Sequence, residues 1–271
     1  MKTPAVSVVM AVFDGAPWVG GAVESLLDQT LADLEVVVID DGSTDPTPDV
    51  LASIRDPRLR IERRARQGLT RSLNRALDLA RAPLVARLDA DDLALPERLA
   101  RQRQYLDAHP DVGLLGTGAR EVDLTGREIA ILRPPVDDAA IRRALIRANP
   151  FVHSSVMMRR TALDRAGGYD PSFPVAQDYD LWMRMARIAR MANLPELLVT
   201  RRLAPGRISA VRTNDRLLAE ARVRWRAVRS RAYPWWCFVY ALRPVTALAL
   251  PAAWRRALRG PTRMEGRSQG V

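Results

Sequence analysis

Along the N-terminal part of the chain, apolar residues arrive in short, nearly unbroken runs separated by stretches with a helical period. Val6–Phe13 and Leu34–Ile39 are runs of strand length, and apolarity that continuous marks strands covered on both faces. Between them Pro17 opens a stretch in which Trp18, Val19, Ala22, Leu26 and Leu27 recur at helical spacing, and a first helical turn accommodates proline. Leu59–Ile61 predicts a third strand. Leu69, Leu73, Ala76, Leu77 and Ala80 share one face of a helix over 69–80, and Leu84–Leu88 predicts a fourth strand. This alternation predicts an α/β fold with a mostly parallel central sheet flanked by helices.

Beyond Leu88 a loop, 89–95, leads into a helix that Pro96 opens and Pro110 stops after Ala108. Val112–Gly118 reads as a strand, and the turn residues of 123–127 predict a hairpin reaching Leu132. A helix over 138–147, a strand at 156–158, a short helix over 161–166 ended by Gly167-Gly168, and a helix over 179–189 follow.

Composition narrows the functional classes. A chain of 271 residues, 48% of them hydrophobic, buries a substantial core. Cys237 is the sole cysteine, and His109 and His153 are the sole histidines, which excludes an internal disulfide framework and Cys/His zinc spacing. A reducing compartment fits, and the residues after Met1 enter a strand-length run without a long signal-type apolar segment, so the catalytic part is expected in the cytoplasm.

The net charge of +11 is concentrated at one end: Arg212–Val271 holds 13 arginines against Asp215, Glu220 and Glu265. A near-neutral body over 1–211 with a basic helical tail over 212–271 argues against a duplex-binding surface, which is itself basic. The tail also carries Trp225, Trp235, Trp236 and Trp254. Arginine mixed with tryptophan suits the inner face of a plasma membrane, with rings at headgroup depth and cations on anionic lipid. Arg243, Pro244 and Pro251 interrupt the apolar stretch, and an arginine at the bilayer centre costs about 2.5–3.5 kcal/mol, so lying on the membrane is favoured over crossing it. The alternative is a basic helix that packs on the catalytic domain.

Three acidic constellations carry the candidate chemistry. Asp40-Asp41-Gly42-Ser43-Thr44-Asp45 follows a buried strand, where open α/β sheets bind ligands, and there Asp41 can accept from a base or ribose. Asp40 joins that site, or with Asp45 it only shapes the turn and caps the next helix. Asp89-Ala90-Asp91-Asp92 follows the fourth strand. Carboxylates so crowded repel one another and bring in a cation, and oxygen ligands alone favour Mg²⁺ or Mn²⁺. Asp178 opens the 179–189 helix, where a carboxylate can take a proton from an acceptor, whereas Asp180 reads as an ordinary acidic residue at a helix start.

In this order the three segments resemble the family 2 glycosyltransferases of the GT-A fold, over roughly the first two hundred residues. Val6–Asp14 is similar to the family's opening strand, Asp40-Asp41-Gly42-Ser43 to its nucleoside-binding turn, and Asp89-Ala90-Asp91 to its metal-binding DxD motif. Ser154–Arg160, Gly167–Asp170 and the Asp178 segment follow as in many bacterial members. The resemblance implies that Val12 and Phe13 contact the base, that Asp41 bonds uracil or ribose, and that Asp89 supports ribose and phosphates. It further implies that Asp91 ligates the metal and that Asp178 is the general base. Arg71 lies in a matching segment and reaches the base or a phosphate, or else belongs to a solvated helix face. His153 touches the diphosphate or metal, or else is a structural hydrogen-bonder. Ala11, Asp14 and Gln177 stand where the family often has Pro, Asn and Glu.

The expected activity is inverting transfer of a sugar from a nucleotide-diphosphate sugar, of the UDP type, to an acceptor hydroxyl in cell-envelope or extracellular polysaccharide synthesis, with a saccharide or lipid-linked acceptor. A nucleotidyltransferase acting on a sugar phosphate is the rival enzyme. It would need a Gly-rich basic loop after the first strand, and Ala11–Gly15 stands there instead. A non-catalytic nucleotide-sugar binder is the other alternative, and keeping Asp91 and Asp178 together counts against it.

Overall fold

The structure is a computed structural model that describes residues 3–203 and 213–248. One nine-stranded sheet runs through it, in the order β3-β2-β1-β4-β8-β6-β9-β5, with β7 paired to β6. Strands β1 (Val6–Val12), β2 (Leu34–Asp40), β3 (Leu59–Arg63) and β4 (Leu84–Arg87) form an all-parallel half. Helices α1 (Ala16–Leu27), α2 (Thr47–Ser53) and α3 (Leu69–Leu79) connect them. Their apolar continuity has a direct cause. Val37 and Ile39 of β2 enter one core cluster with α3, while Val36 and Val38 enter the other with α1, so both pleat faces are buried.

The second half of the sheet is mixed. Strand β5 (Leu93–Ala94), helix α4 (Arg98–Ala108), the hairpin of β6 (Val112–Val122) and β7 (Glu128–Leu132), α5 (Asp138–Leu145), β8 (Met157–Arg159), α6 (Arg160–Ala166) and α7 (Gln177–Met185) lead to β9 (Arg190–Arg202). Strand β8 runs antiparallel to both β4 and β6, β9 runs parallel to β6, and β5 runs antiparallel to β9.

Two differences from the sequence reading matter for the site. Helix α7 starts at Gln177 and ends at Met185, four residues before the expected end, and β9 takes up the chain from Arg190. Strand β9 contains Pro195, which cannot donate to a ladder. The register between β6 and β9 jumps from Thr117↔Leu194 to Gly118↔Leu197, so Pro195 and Glu196 fall in a bulge. The strand then continues to Arg201 and Arg202.

The basic tail enters the description at α8 (Thr213–Arg229) and continues through a short 3₁₀ turn, Trp235–Cys237, into α9 (Phe238–Leu248). The expected 211/212 boundary, Pro251 and Trp254 lie outside the described residues. One face of the hairpin packs on the body: Ala219, Val223 and Ala227 of α8, with Cys237, join the core cluster that contains α7. Arg224 is buried and donates to Tyr179 Oη at 3.2 Å and to the Arg147 carbonyl at 2.9 Å. Arg226 reaches Asp170 at 2.8 Å and Asp180 at 3.4 Å. Burial alone would raise the Asp170 carboxyl, but hydrogen bonds from Arg226 and Ser172 outweigh it and hold that carboxyl at about 2.

Packing of that kind predicts opposite sensitivities on the two faces of the tail. Arg224→Met leaves buried acceptors on Tyr179 and Arg147 unpaired and is expected to cost about 1–3 kcal/mol. Trp235→Ser, on an exposed side chain, is expected to change stability by less than about 0.5 kcal/mol. Urea unfolding of the two variants beside the parent measures both.

Candidate active site

Strand register assembles the site. β1 lies between β2 and β4, pairing Val12 with Asp40 and Val9 with Arg87. The carboxyl ends of three adjacent parallel strands therefore deliver Asp40–Asp41, Phe13–Asp14 and Asp89–Asp92 to one rim, the position at which open α/β sheets take ligands.

The turn after β2 is pinned at every step. Asp40 is buried, accepts from the Ser43 amide at 2.9 Å and has the Arg63 guanidinium 3.4 Å from its other oxygen. Gly42 has φ +80°, and a Cβ there would meet the Arg66 amide nitrogen at 2.9 Å, so glycine is required for both conformation and space. Asp14, itself at φ 50°, accepts from the Thr44 amide at 2.7 Å and ties the β1–α1 turn to the β2–α2 turn. Asp41 is buried and accepts from the amides of Gln67 and Gly68, both at 2.8 Å, and from Ser72 Oγ at 2.7 Å. Its carboxylate thus already anchors the start of α3. Val12 is buried beneath this turn, and the Arg66 guanidinium lies 3.6 Å over the Phe13 ring. Arg71 is exposed on the first turn of α3 and makes no hydrogen bond or ion pair with the other described residues.

The second centre is built on Arg87. Its side chain is 1% exposed, donates to Asp89, and donates to Ser154 Oγ at 3.0 Å. Ser154 Oγ also touches Asp89 Oδ2 at 2.9 Å and Asp92 Oδ2. Asp92 is buried and accepts from the Arg202 amide at 3.0 Å; burial and the neighbouring Asp91 charge push its carboxyl up. Asp91 is half-buried, and its carboxylate makes no hydrogen bond or ion pair among the described residues. Carboxylate oxygens of Asp89, Asp91 and Asp92 lie within 4.8 Å of one another, an all-oxygen donor set that fits a hard divalent cation.

Asp178 lies in the first turn of α7, and its charge acts on the same guanidinium. Burial lowers the proton affinity of Arg87, and the charges of Asp92, Asp178 and Asp91 oppose that effect. Asp91 and Asp178, far apart in the chain, therefore share one electrostatic centre. Asn149 donates to Asp178 Oδ2 at 2.7 Å. Burial raises the Asp178 carboxyl, against the Tyr179 amide, Arg87 and Asn149, which favour its charged form. Asp180 is buried and paired with Arg184 at 2.8 Å, in keeping with a structural part. His153 Nε2 lies 2.9 Å from Tyr169 Oη with its ring edge-on to Trp182; burial, Arg87 and Arg201 hold its pKa well below the usual imidazole value, so it is neutral.

Four residues of the centre carried no role in the sequence reading. Arg87 and Ser154 organise the acids, Asn149 orients Asp178, and Arg202 binds the Asp91 carbonyl at 3.0 Å and lies 4.2 Å over the Trp18 ring. The signal for Arg87 was present: an arginine ending an apolar strand two residues before Asp89 is placed on the same side as that acid.

Comparison with known proteins agrees with this geometry. Residues 7–167 match the family described as Glycosyl transferase family 2. The amylovoran biosynthesis glycosyltransferase AmsE of Erwinia amylovora is 33% identical over 183 residues, covering 65% of this chain and 67% of that protein. Among solved structures, the mannosyltransferase PcManGT of Pyrobaculum calidifontis, in complex with GDP-Man and Mn²⁺, superposes with a TM-score of 0.66 at 24% identity, covering 95% of this chain and 79% of that one. TarS 1-349 of S. aureus in complex with UDP-GlcNAc gives a TM-score of 0.66 at 20% identity over 82% of this chain, which spans 66% of that one, just under two thirds of its length. The fold is the GT-A fold, with its central sheet flanked by helices, and the chain belongs to glycosyltransferase family 2.

Proposed function

We propose that this glycosyltransferase moves a sugar from a nucleotide-diphosphate sugar, with UDP as the nucleotide, to an acceptor hydroxyl with inversion at the anomeric carbon. The carboxylate oxygens of Asp89, Asp91 and Asp92, within 4.8 Å of one another at the carboxyl end of β4, support this reading more than any other observation, and the charges of Asp91 and Asp178 both act on the buried Arg87 beside them. A polysaccharide role follows from the AmsE likeness, and the acceptor is a saccharide or lipid-linked saccharide of the cell envelope. The catalytic body works at the cytoplasmic side of the membrane.

In this mechanism Val12, Phe13, Asp41 and Arg71 form the base and ribose end of the donor site, with the Phe13 ring beneath Arg66 as its flat wall. Asp89 supports ribose and phosphates while Arg87 and Ser154 fix its carboxylate. Asp91 has the lone pairs to hold Mn²⁺ or Mg²⁺, and Asp92, occupied by Ser154 and the Arg202 amide, supports the loop from below. The bound ion supplies positive charge for the departing diphosphate. Asp178 takes the acceptor proton at a carboxylate oxygen while the acceptor oxygen bonds to the anomeric carbon and the bond to the diphosphate breaks. Asn149 holds Asp178 for that transfer. His153, hydrogen-bonded to Tyr169, and Asp40, bonded to the Ser43 amide and paired with Arg63, frame the site.

Three outcomes test the reading. Thermal melts in Mn²⁺ are expected to rise with UDP-sugars and to stay flat with GDP-sugars; the reverse pattern would replace the nucleotide. Asp91→Asn and Asp178→Asn are each expected to lower transfer by about 10²–10⁴-fold, with calorimetry showing lost metal-dependent UDP binding for the first only. Asn149→Ala removes a hydrogen bond that favours the charged form of Asp178, so the acid limb of the pH–rate profile is expected to move to higher pH. An unmoved limb would take the base role from Asp178.

A further inference from the structure

The docked face of the tail leaves its other face unexplained. On α9 and the turn before it, Cys237, Ala241 and Pro244 point inward at helical spacing, whereas Trp235, Val239 and Leu242 point outward. Trp235 is 76% exposed, and Trp236, Val239, Leu242 and Val245 are between 45% and 52% exposed. The helix is therefore apolar on both sides, a pattern that a water-facing helix does not carry. No helix among the described residues is long and apolar enough to cross a membrane.

Charge selects the occupant. Between Glu220 and Glu265 the sequence holds ten arginines and no acidic residue. Arg229, Arg231 and Arg243, which flank or interrupt the apolar stripe in sequence, are exposed, and the 23 residues after Leu248 add five more arginines and Trp254 to the sequence. An apolar stripe with tryptophan at one end and a purely cationic surround complements a surface that is anionic outside and hydrocarbon within. We propose that the outward face of Trp235–Val245 seats the protein on an anionic lipid bilayer, with the helix axis in the plane of the headgroups. Both readings of the tail then hold, each for one face: α8 and the inner side of α9 belong to the body, and the outer side of α9 belongs to the lipid. The proposal rests on none of the catalytic assignments, and its failure leaves the glycosyl-transfer reading intact.

The test uses the full chain, because α8 is part of the core and ending the chain before it would confound binding with folding. In flotation, the protein is expected to rise with vesicles of phosphatidylcholine and phosphatidylglycerol, and about tenfold less with phosphatidylcholine alone. Trp235→Ser/Val239→Ser/Leu242→Ser is expected to weaken flotation by about tenfold or more, with an unchanged melting temperature. Brominated phosphatidylglycerol is expected to quench tryptophan emission of the unsubstituted protein, a readout that requires no variant. Failure to float, equal flotation of parent and triple variant, equal affinity for both vesicle types, or absence of quenching would each overturn the proposal. So would a concentration-dependent dimer in lipid-free size-exclusion runs that the triple substitution abolishes, since the occupant would then be a second copy.

Discussion

A single buried cation determines what the acidic rim can be. Taking a guanidinium out of water costs several kcal/mol, roughly, unless carboxylates and hydrogen-bond acceptors replace the lost hydration. Arg87 is nearly sealed, and its replacements are Asp89, Ser154 Oγ and the surrounding fields of Asp92, Asp178 and Asp91. The dependence runs both ways. Without the cation, the carboxylates that follow β4 would lose the charge that offsets their mutual repulsion. With it, some of the acidic charge is balanced by protein and the remainder is left for a metal and a proton. On the proposed mechanism, that division of charge is what a site holding a diphosphate beside a base requires.

The neighbouring turn follows a different rule. The Asp41 carboxylate spends three hydrogen bonds on the segment that starts α3, and Asp14 spends its own on the turn after β2. These acids fix backbone whatever else they bind, and the turns after β1 and β2 are held to each other and to the start of α3 because of it. Beside these pinned turns, Phe13 and Arg66 present a stacked aromatic and cationic pair.

Much of this was legible because it is local. The parallel half of the sheet announces itself by runs buried on both faces, and the DxD acids by crowding at a strand end. Strand β9 was not legible, since Pro195 and Glu196 break its pattern and only the bulge opposite Thr117 and Gly118 restores the pairing. Missing β9 also hid Arg202, whose amide and guanidinium hold the acidic loop from the far side. The role of Asn149 depends on the 146–152 segment folding back over α7, a contact without local signature. The mixed second half of the sheet has the same origin: strand direction there is set by long-range pairing of β8 with β4 and β6, which hydrophobic period does not encode.

The tail shows why segment and function need not coincide. Helix α8 grips the helix that carries Asp178, through Arg224 on Tyr179 and Arg226 on Asp180, and in the same turns supplies Ala219, Val223 and Ala227 to the core. A separable appendage would show neither a buried arginine nor core alanines. The excess positive charge nevertheless sits beyond the catalytic body, so these arginines divide into those that saturate buried acceptors and those that remain in solvent. Among the described residues, Arg229, Arg231 and Arg243 belong to the second group, and in sequence they flank or interrupt the stripe that the fold leaves bare. Structural and external roles are therefore divided by helix face, and each must be probed by substitution on its own face rather than by removal of the whole segment.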